Sequence, residues 1–356
     1  MIKERIERLQ AHLEEGEAVL IESYPNRLYF TGFSSSAGAV LISRSKARFL
    51  IDFRYYEKAK KTVNGLEVVL MKKSTEQIGQ FLREENIRTV YLETETTAIN
   101  RFEQFKKSLP DFTFSEDEKM QKQILAQRRH KSAEEVRLIE AAQKLTDDTF
   151  SYIVDRIRPG RTEKEIMLDM EFFIRKNGSE GVSFDFIVVS GKNSSLPHGV
   201  PSDKAVERGD FVTMDFGAVV GGYHSDMTRT VAVGSVSEEQ KQVYQTVLDA
   251  QLKAISFLRA GRTGKEVDAV ARDLIEAAGF GDSFGHGLGH SVGLEIHEMP
   301  SCSPSCSEVL EAGTIMTVEP GIYLEDRFGV RIEDMVLITE NGCRNLTASE
   351  KRLIVV

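Results

Sequence analysis

The chain has 356 residues, a formal net charge of −9, 41% hydrophobic and 28% charged residues. That is enough chain for two domains and an ordinary globular composition, with no apolar run near the ~20 residues of a membrane span. The acidic balance excludes nucleic-acid binding through a broad basic face, and the nearest basic run, residues 127–131, reads as the flank of a helix start. Cys302, Cys306 and Cys343 are too few for a disulfide framework and lack neighbours for a zinc site, so they read as free thiols in a reducing compartment. The first 15 residues are charged and amphipathic with no signal-peptide core, so the expected location is the cytoplasm.

In chain order, residues 3–14 have helical spacing. Residues 18–22, 39–42, 48–52, 67–71 and 89–93 read as short strands, and 55–62, 75–85 and 98–108 as helices. This alternation predicts a small α/β domain over residues 1–122. Residues 115–127 are polar and read as a linker. Ser132 and Glu135 match a capping box that opens a helical run over 136–156, so a second domain is expected over 128–356.

That second domain repeats itself. Residues 158–178 match residues 259–279 at eight of 21 positions, with an offset of 101. Each copy is helix-like and precedes a hairpin-like acidic pattern, which predicts two αα–hairpin halves related by a pseudo-two-fold axis. The first pattern runs from Asp215 to Asp226 with its midpoint between Val220 and Gly221. The second runs from Glu319 to Glu333 with its midpoint at Asp326. Paired as strands, each would set two carboxylates opposite each other, with Cβ atoms about 4.5–5.5 Å apart. Face-to-face carboxylates in apolar strands are costly unless cations neutralise them, and two divalent metals would cancel four such charges.

Five of the seven histidines fall within residues 198–297. His198, His286, His290 and His297 sit beside glycines or acidic residues, where an imidazole can ligate, donate a hydrogen bond or move a proton. His224 shares a strand face with Asp226, but the other residues already complete a site, so a supporting or surface role is expected for it. The GHGLGH run lacks the strand–GxGxxG–helix frame of a nucleotide loop.

These stretches resemble the pita-bread metallopeptidases, the family of methionine aminopeptidases, aminopeptidase P and prolidase. The resemblance rests on LPHG at 196–199, MDFGA at 214–218, YHSDMTRT at 223–230, GHGLGHSVGLEIHE at 285–298, TVEPGIY at 317–323 and GVRIED at 329–334. LYFTGFSSSAGAVLI at 28–42 resembles the extra N-terminal domain of the aminopeptidase P, prolidase and creatinase branch. The resemblance implies a ribonuclease-H-like first domain and a pita-bread α+β second domain. It also implies five metal ligands: Asp215 on one metal, Asp226 on both, His290 and Glu319 completing the shells, and Glu333 bridging. His198 and His297 match the substrate-facing histidines, and His286 and Arg331 match supporting and proton-relay positions. No ligand position is substituted, unlike in creatinase or in relatives that became binding scaffolds.

The implied reaction is hydrolysis of the bond between an N-terminal residue and a following proline. Two metals about 3.5–4 Å apart would activate water and polarise the scissile carbonyl. Glu319 would shuttle the proton, and His198 and His297 would hold the carbonyl or oxyanion. The oxygen-rich ligand set favours Mn(II), with Co(II) as a substitute. The expected partners are peptides with proline second and a second copy of the chain. A strict dipeptidase must recognise a free carboxylate, usually with arginine. Residues 298–326 contain no Lys or Arg, which tilts the expectation towards aminopeptidase P-like action on longer peptides. A strict Xaa-Pro dipeptidase is the alternative, and an inactive peptide-binding scaffold the reading from another class.

Overall fold

The computed structural model describes residues 2–356, and the chain divides into two compact units, Met1–Arg128 and Arg129–Val356. No helix among the described residues is long and apolar enough to cross a membrane.

The first unit runs α1 (Ile2–Gln10), β1 (Glu17–Ile21), α2 (Tyr24–Thr31), β2 (Ala39–Ser43), β3 (Ala47–Ile51), α3 (Phe53–Thr62), β4 (Glu67–Leu70), α4 (Ser74–Glu84), β5 (Thr89–Tyr91), α5 (Ile99–Ser108), β6 (Thr113–Ser115) and α6 (Lys119–Arg129). Its sheet has the order β4-β3-β2-β1-β5-β6. β1, β2 and β3 form an antiparallel meander, and β4, β5 and β6 join in parallel. This is the expected ribonuclease-H-like arrangement with one strand added at the β3 edge. β2 is buried along its whole length, as a strand covered on both faces requires.

Three elements depart from the sequence reading, the shortest being β6, which was not among the expected strands. Residues 24–31 are aromatic-rich and carry no strong helical period, yet they form α2. Pro25 starts it, and Gly32 ends it in the left-handed region at φ 63°. Residues 115–127, expected as a linker, are largely taken up by α6. Met120, Gln121, Ile124 and Arg128 recur at helical spacing and are buried, so the polar majority of the stretch is one solvated face.

The second unit runs α7 (Ala133–Val154), α8 (Glu163–Lys176), β7 (Ile187–Ser190), a 3₁₀ turn at Gly191–Ser195, β8 (Phe211–Phe216), β9 (Val219–Val220), β10 (Tyr223–His224), β11 (Met227–Ala232), α9 (Glu238–Phe257), α10 (Gly264–Ala277), β12 (Gly289–Ser291), β13 (Glu298–Cys302), β14 (Ile315–Val318), β15 (Gly321–Leu324), β16 (Phe328–Arg331), β17 (Asp334–Thr339) and β18 (Gly342–Asn345). α7 to α10 each begin with a capping box: Ser132/Glu135, Thr162/Glu165, Ser237/Gln240 and Thr263/Glu266.

The repeat is a real structural symmetry. Gly160 N donates to Val206 O at 2.9 Å, and its counterpart Gly261 N donates to Leu310 O at 2.9 Å. Val206 N returns to Arg161 O, as Leu310 N returns to Arg262 O. Single bridges join Thr162 to Ala205 and Thr263 to Val309. Each half has its own core. Ile166, Met170, Val188, Met214 and Phe216 pack together in the first, and Val267, Ala271, Met316, Val318 and Val336 in the second.

The two acidic hairpins close differently. The second pairs Val318 with Asp334 and Gly321 with Arg331 around Asp326, whose φ is 57°, so Glu319 and Glu333 face each other as expected. The first pairs Val220 with Tyr223 across Gly221-Gly222, both at positive φ, and Asp215 with Thr228. Asp226 therefore stands diagonal to Asp215 on the same face and not opposite it, which corrects the sequence reading. The two-residue glycine turn accounts for this, because positive φ at both central residues selects the primed turn that matches strand twist.

Arg229 on β11 ties the hairpins to the C-terminal tail. It is 1% exposed and donates to Thr228 O, Glu333 O, Asp334 Oδ1, Ser349 O and Glu350 O. Asp334 is fully buried, which alone would raise its pKa, but Arg229 and Lys351 outweigh burial and lower it. Arg229→Met strands these acceptors without filling their hydrogen bonds. We expect it to destabilise the second unit by about 3–5 kcal/mol in urea unfolding. A loss below ~1 kcal/mol would show that the guanidinium does not hold this junction together.

Candidate metal centre

The symmetry brings the ends of β8, β11, β14 and β16 and the loops before β12 and β13 to one cavity of about 660 Å³. Its lining includes all nine residues singled out in the sequence: His198, Asp215, Asp226, His286, His290, His297, Glu319, Arg331 and Glu333. His224 is not in that lining; its Nδ1 lies 2.9 Å from Ser183 Oγ, and its backbone N–H donates to Gly293 O.

At the cavity floor, Asp226, His290 and Glu333 present ligand atoms within 4.8 Å of one another. His290 Nε2 lies 3.5 Å from Asp226 Oδ2 and 3.4 Å from Glu319 Oε1. His290 Nδ1 faces the Ser291 carbonyl at 3.1 Å, so that nitrogen carries the proton and Nε2 offers its lone pair to the carboxylates. Burial, helped by the neighbouring His297, pushes the His290 pKa down to about 4 and keeps the ring neutral. A neutral imidazole with its lone pair turned to a carboxylate cluster is the state a metal ligand needs.

The carboxylates are out of balance with the protein cations around them. Burial, then Glu333, Asp215 and Glu319, pushes the Asp226 pKa well up. Burial, then Glu319 and Asp215, does the same to Glu333. Glu319 is pushed up to about 8, by burial first, against the pull of Arg331. Asp215 Oδ1 and Glu333 Oε1 are buried and have no hydrogen-bond partner among the described residues. Their other oxygens are taken: Asp215 Oδ2 accepts from Arg331 Nη2 at 2.6 Å, and Glu333 Oε2 from Thr228 Oγ1 at 2.7 Å. One oxygen of each carboxylate is thus oriented by the protein while the other is left buried without a protein partner among the described residues. The donor set fits divalent cations.

A second line of contacts runs behind the floor. Arg331 Nε donates to Thr228 Oγ1, and its Nη1 donates to Tyr323 Oη at 2.8 Å and to Pro197 O at 3.2 Å. Tyr323 Oη lies 3.0 Å from His286 Nε2, and His286 Nδ1 faces the Gly287 carbonyl at 2.9 Å. His286 therefore carries its proton on Nδ1 and accepts from the tyrosine. Burial lowers its pKa to about 4 and raises that of Tyr323 to about 12. Tyr323 and Thr228 were not singled out from the sequence. The signal for Tyr323 was strand alternation, which puts it on the face of Glu319; Thr228 needed the true hairpin register, which sets it opposite Asp215.

Residues 137–340 match the model of metallopeptidase family M24, and residues 5–128 match that of the creatinase/prolidase N-terminal domain. The chain belongs to metallopeptidase family M24. Its similarity to individual members runs the full length. It is 40% identical to a Xaa-Pro dipeptidase of Pyrococcus furiosus, over 99% of this chain and 100% of the relative. The structure of a Xaa-Pro dipeptidase from Bacillus anthracis matches with a TM-score of 0.96 and 40% identity, covering all of both chains. That of an X-Pro aminopeptidase from Thermotoga maritima matches with a TM-score of 0.91 and 38% identity, over 98% of this chain and 100% of the other. The pita-bread reading of the second unit and the hydrolase class follow from this membership.

If the cluster holds two ions, removing a shared carboxylate must cost at least one. We expect Asp226→Asn and Glu333→Gln to bind one equivalent of metal or fewer after equilibration and desalting, measured by elemental analysis. Two full equivalents in both variants would remove these residues from the ligand set.

Proposed function

We propose that this M24 peptidase is a dinuclear-metal Xaa-Pro dipeptidase. The carrying observation is the intact donor set of Asp215, Asp226, His290, Glu319 and Glu333 at the floor of one cavity, in a chain whose full-length relatives include Xaa-Pro dipeptidases. The oxygen-rich ligands suit Mn(II), with Co(II) as a substitute. When bound, the metal pair supplies Lewis-acid polarisation of the scissile carbonyl and a more acidic attacking water.

The protein's own groups supply the remaining steps. Glu319 reaches the cluster from β14 and is half-buried, with Oε1 accepting from Thr317 Oγ1 at 3.2 Å. In this reading it takes the proton of the attacking water and delivers it to the proline nitrogen. That delivery is essential, because a tertiary amide carries no N–H and leaves as a neutral amine only once protonated. His198 and His297 are exposed into the cavity from the two halves, and they donate to the carbonyl oxygen as it gains charge. The Arg331–Tyr323–His286 line holds Asp215 in place and brings a neutral imidazole to the cavity wall.

This reading separates ligation from transition-state contact. His198→Ala and His297→Ala are expected to keep both metals and lose about 10²–10³-fold in kcat, the scale of a lost oxyanion donor. His224→Ala should change neither by more than about twofold. Metal loss in the His198 or His297 variant would make that histidine a ligand, and an inactive His224 variant would place it in the site.

The aminopeptidase P-like expectation survives as a second reading on one observation. Among the described residues, Arg331 is the only Lys or Arg lining the cavity, and its guanidinium is engaged by Asp215, Tyr323, Thr228 and Pro197. On the β13 side the cavity is lined by Ser301 and, just past the strand, Ser303, whose hydroxyls lie 3.2 Å from each other. The dipeptidase reading expects Xaa-Pro to outperform Xaa-Pro-Yaa in kcat/KM. It also expects amidation of the dipeptide to cost about 10–100-fold, the worth of a hydrogen bond to a charged group. Equal or better cleavage of tripeptides, with no effect of amidation, would establish the aminopeptidase reading instead.

A further inference from the structure

The two halves dock the segment leaving each cavity loop onto the start of their second helix in the same way. Glu163 N donates to Lys204 O and Lys164 N to Ser202 O; in the second half, Gly264 N donates to Glu308 O and Lys265 N to Cys306 O. The halves differ at the matched position itself, Glu163 against Gly264. A Cβ on Gly264 would lie 2.1 Å from Ser301 O and 3.0 Å from Cys306 Sγ, so the second loop packs straight onto the helix backbone.

In the first half a side chain fills that space. Glu163 is 0% exposed, and its carboxylate sits inside the loop that carries His198. Oε1 accepts from Ser190 N at 2.6 Å, Ser190 Oγ at 2.9 Å and Asn193 Nδ2 at 3.1 Å. Oε2 accepts from Ser202 N at 3.0 Å and Ser202 Oγ at 2.6 Å. Both ends of the loop, Ser190 and Ser202, hang on one carboxylate. Lys204 Nζ reaches Ser190 Oγ but is itself paired with Asp210 at 2.6 Å. Neither the carboxylate cluster nor the Arg331–Tyr323–His286 line uses this buried charge.

We infer that Glu163 is a positioning residue of the reaction: it clamps the loop between Ser190 and Ser202 so that His198 meets the scissile carbonyl. The inference rests on the reading of His198 given above. A buried carboxylate satisfied by five or more donors is costly to build, and a loop needing only to be covered would be served as well by the glycine packing of the second half. A histidine reaching into a solvent-open cavity needs its loop fixed to a few tenths of an ångström to act on a carbonyl.

The test compares wild type, E163Q, H198A and the E163Q/H198A double variant as metal-loaded enzyme on a Xaa-Pro dipeptide. An amide keeps the volume but turns donors towards donors. We expect E163Q to keep two metal equivalents and a KM within about threefold of wild type, and to lose at least tenfold in kcat. The double variant should be no more than twofold slower than H198A, because the clamp has nothing left to position. If E163Q does not fold, S202A, which removes one donor, takes its place, with a kcat loss of at least threefold that disappears in the H198A background. Effects that multiply in the double variant, or wild-type kcat in E163Q, would overturn the inference while leaving an inactive H198A consistent with the proposed function. A fully active H198A enzyme would overturn both.

Discussion

The catalytic unit is organised around carboxylates held too close together in too little water. Asp226, Glu333 and the half-buried Glu319 crowd beside Asp215, and the neighbouring protein cation, Arg331, is bound to only one oxygen of one of them. Desolvation and mutual repulsion push their pKa values up together, so the cluster holds its full charge only when cations sit among the oxygens. The second unit can be read as the machinery that keeps this arrangement from relaxing. Arg331 pins Asp215, Thr228 pins Glu333, Thr317 pins Glu319, and Arg229 closes the backbone behind Glu333. For Asp215 and Glu333 the contact takes one carboxylate oxygen and leaves the other buried without a protein partner among the described residues.

Turn chemistry sets where those carboxylates point. A slip of one residue in either hairpin would send an acidic side chain to the opposite face. Gly221 and Gly222 both take positive φ and fix one register; Asp326 takes a positive φ and fixes the other. Close backbone approaches lock the strands further. A Cβ on Gly217 would fall 1.8 Å from Ser225 O, and one on Gly289 would fall 2.1 Å from Thr317 O. Any side chain there would push apart the strands that carry Asp215, Asp226, His290 and Glu319.

Much of this was legible in the sequence because the chemistry is local and paired. The eight-in-21 repeat carried the symmetry, and the mirror placement of acids around turn residues carried the hairpins. The five-strand alternation of residues 18–93 carried the first sheet, since short apolar runs between polar helices have few other uses. The failures have physical causes. Midpoint arithmetic placed the first turn one position early, because it weighed symmetry and not the φ demand of two adjacent glycines. α6 was hidden by a polar face, and α2 by aromatic residues whose strand propensity its capping residues override. Strand alternation set Tyr323 on the face of Glu319, but its role was hidden because it depends on facing His286, 37 residues away in sequence, which no periodicity encodes.

The symmetry of the scaffold conflicts with the asymmetry of its substrate. A peptide has a direction, so two equivalent walls around one site could not tell the two sides of a scissile bond apart. The two halves resolve this with unlike loops hung on a common frame. The first wall carries His198 on a loop wrapped around the Glu163 carboxylate. The second carries His297 next to Glu298, whose carboxylate accepts from Leu294 N and from Lys131 Nζ. Lys131 and Glu298 are 1% and 7% exposed at their side chains, so this ion pair forms in a setting where separating the charges would be expensive. The Glu163 carboxylate is met by neutral donors, and the Glu298 carboxylate by backbone N–H groups and a buried cation. The carboxylates behind the two walls are therefore held in different ways, while the capping boxes and helix-start hydrogen bonds behind them repeat.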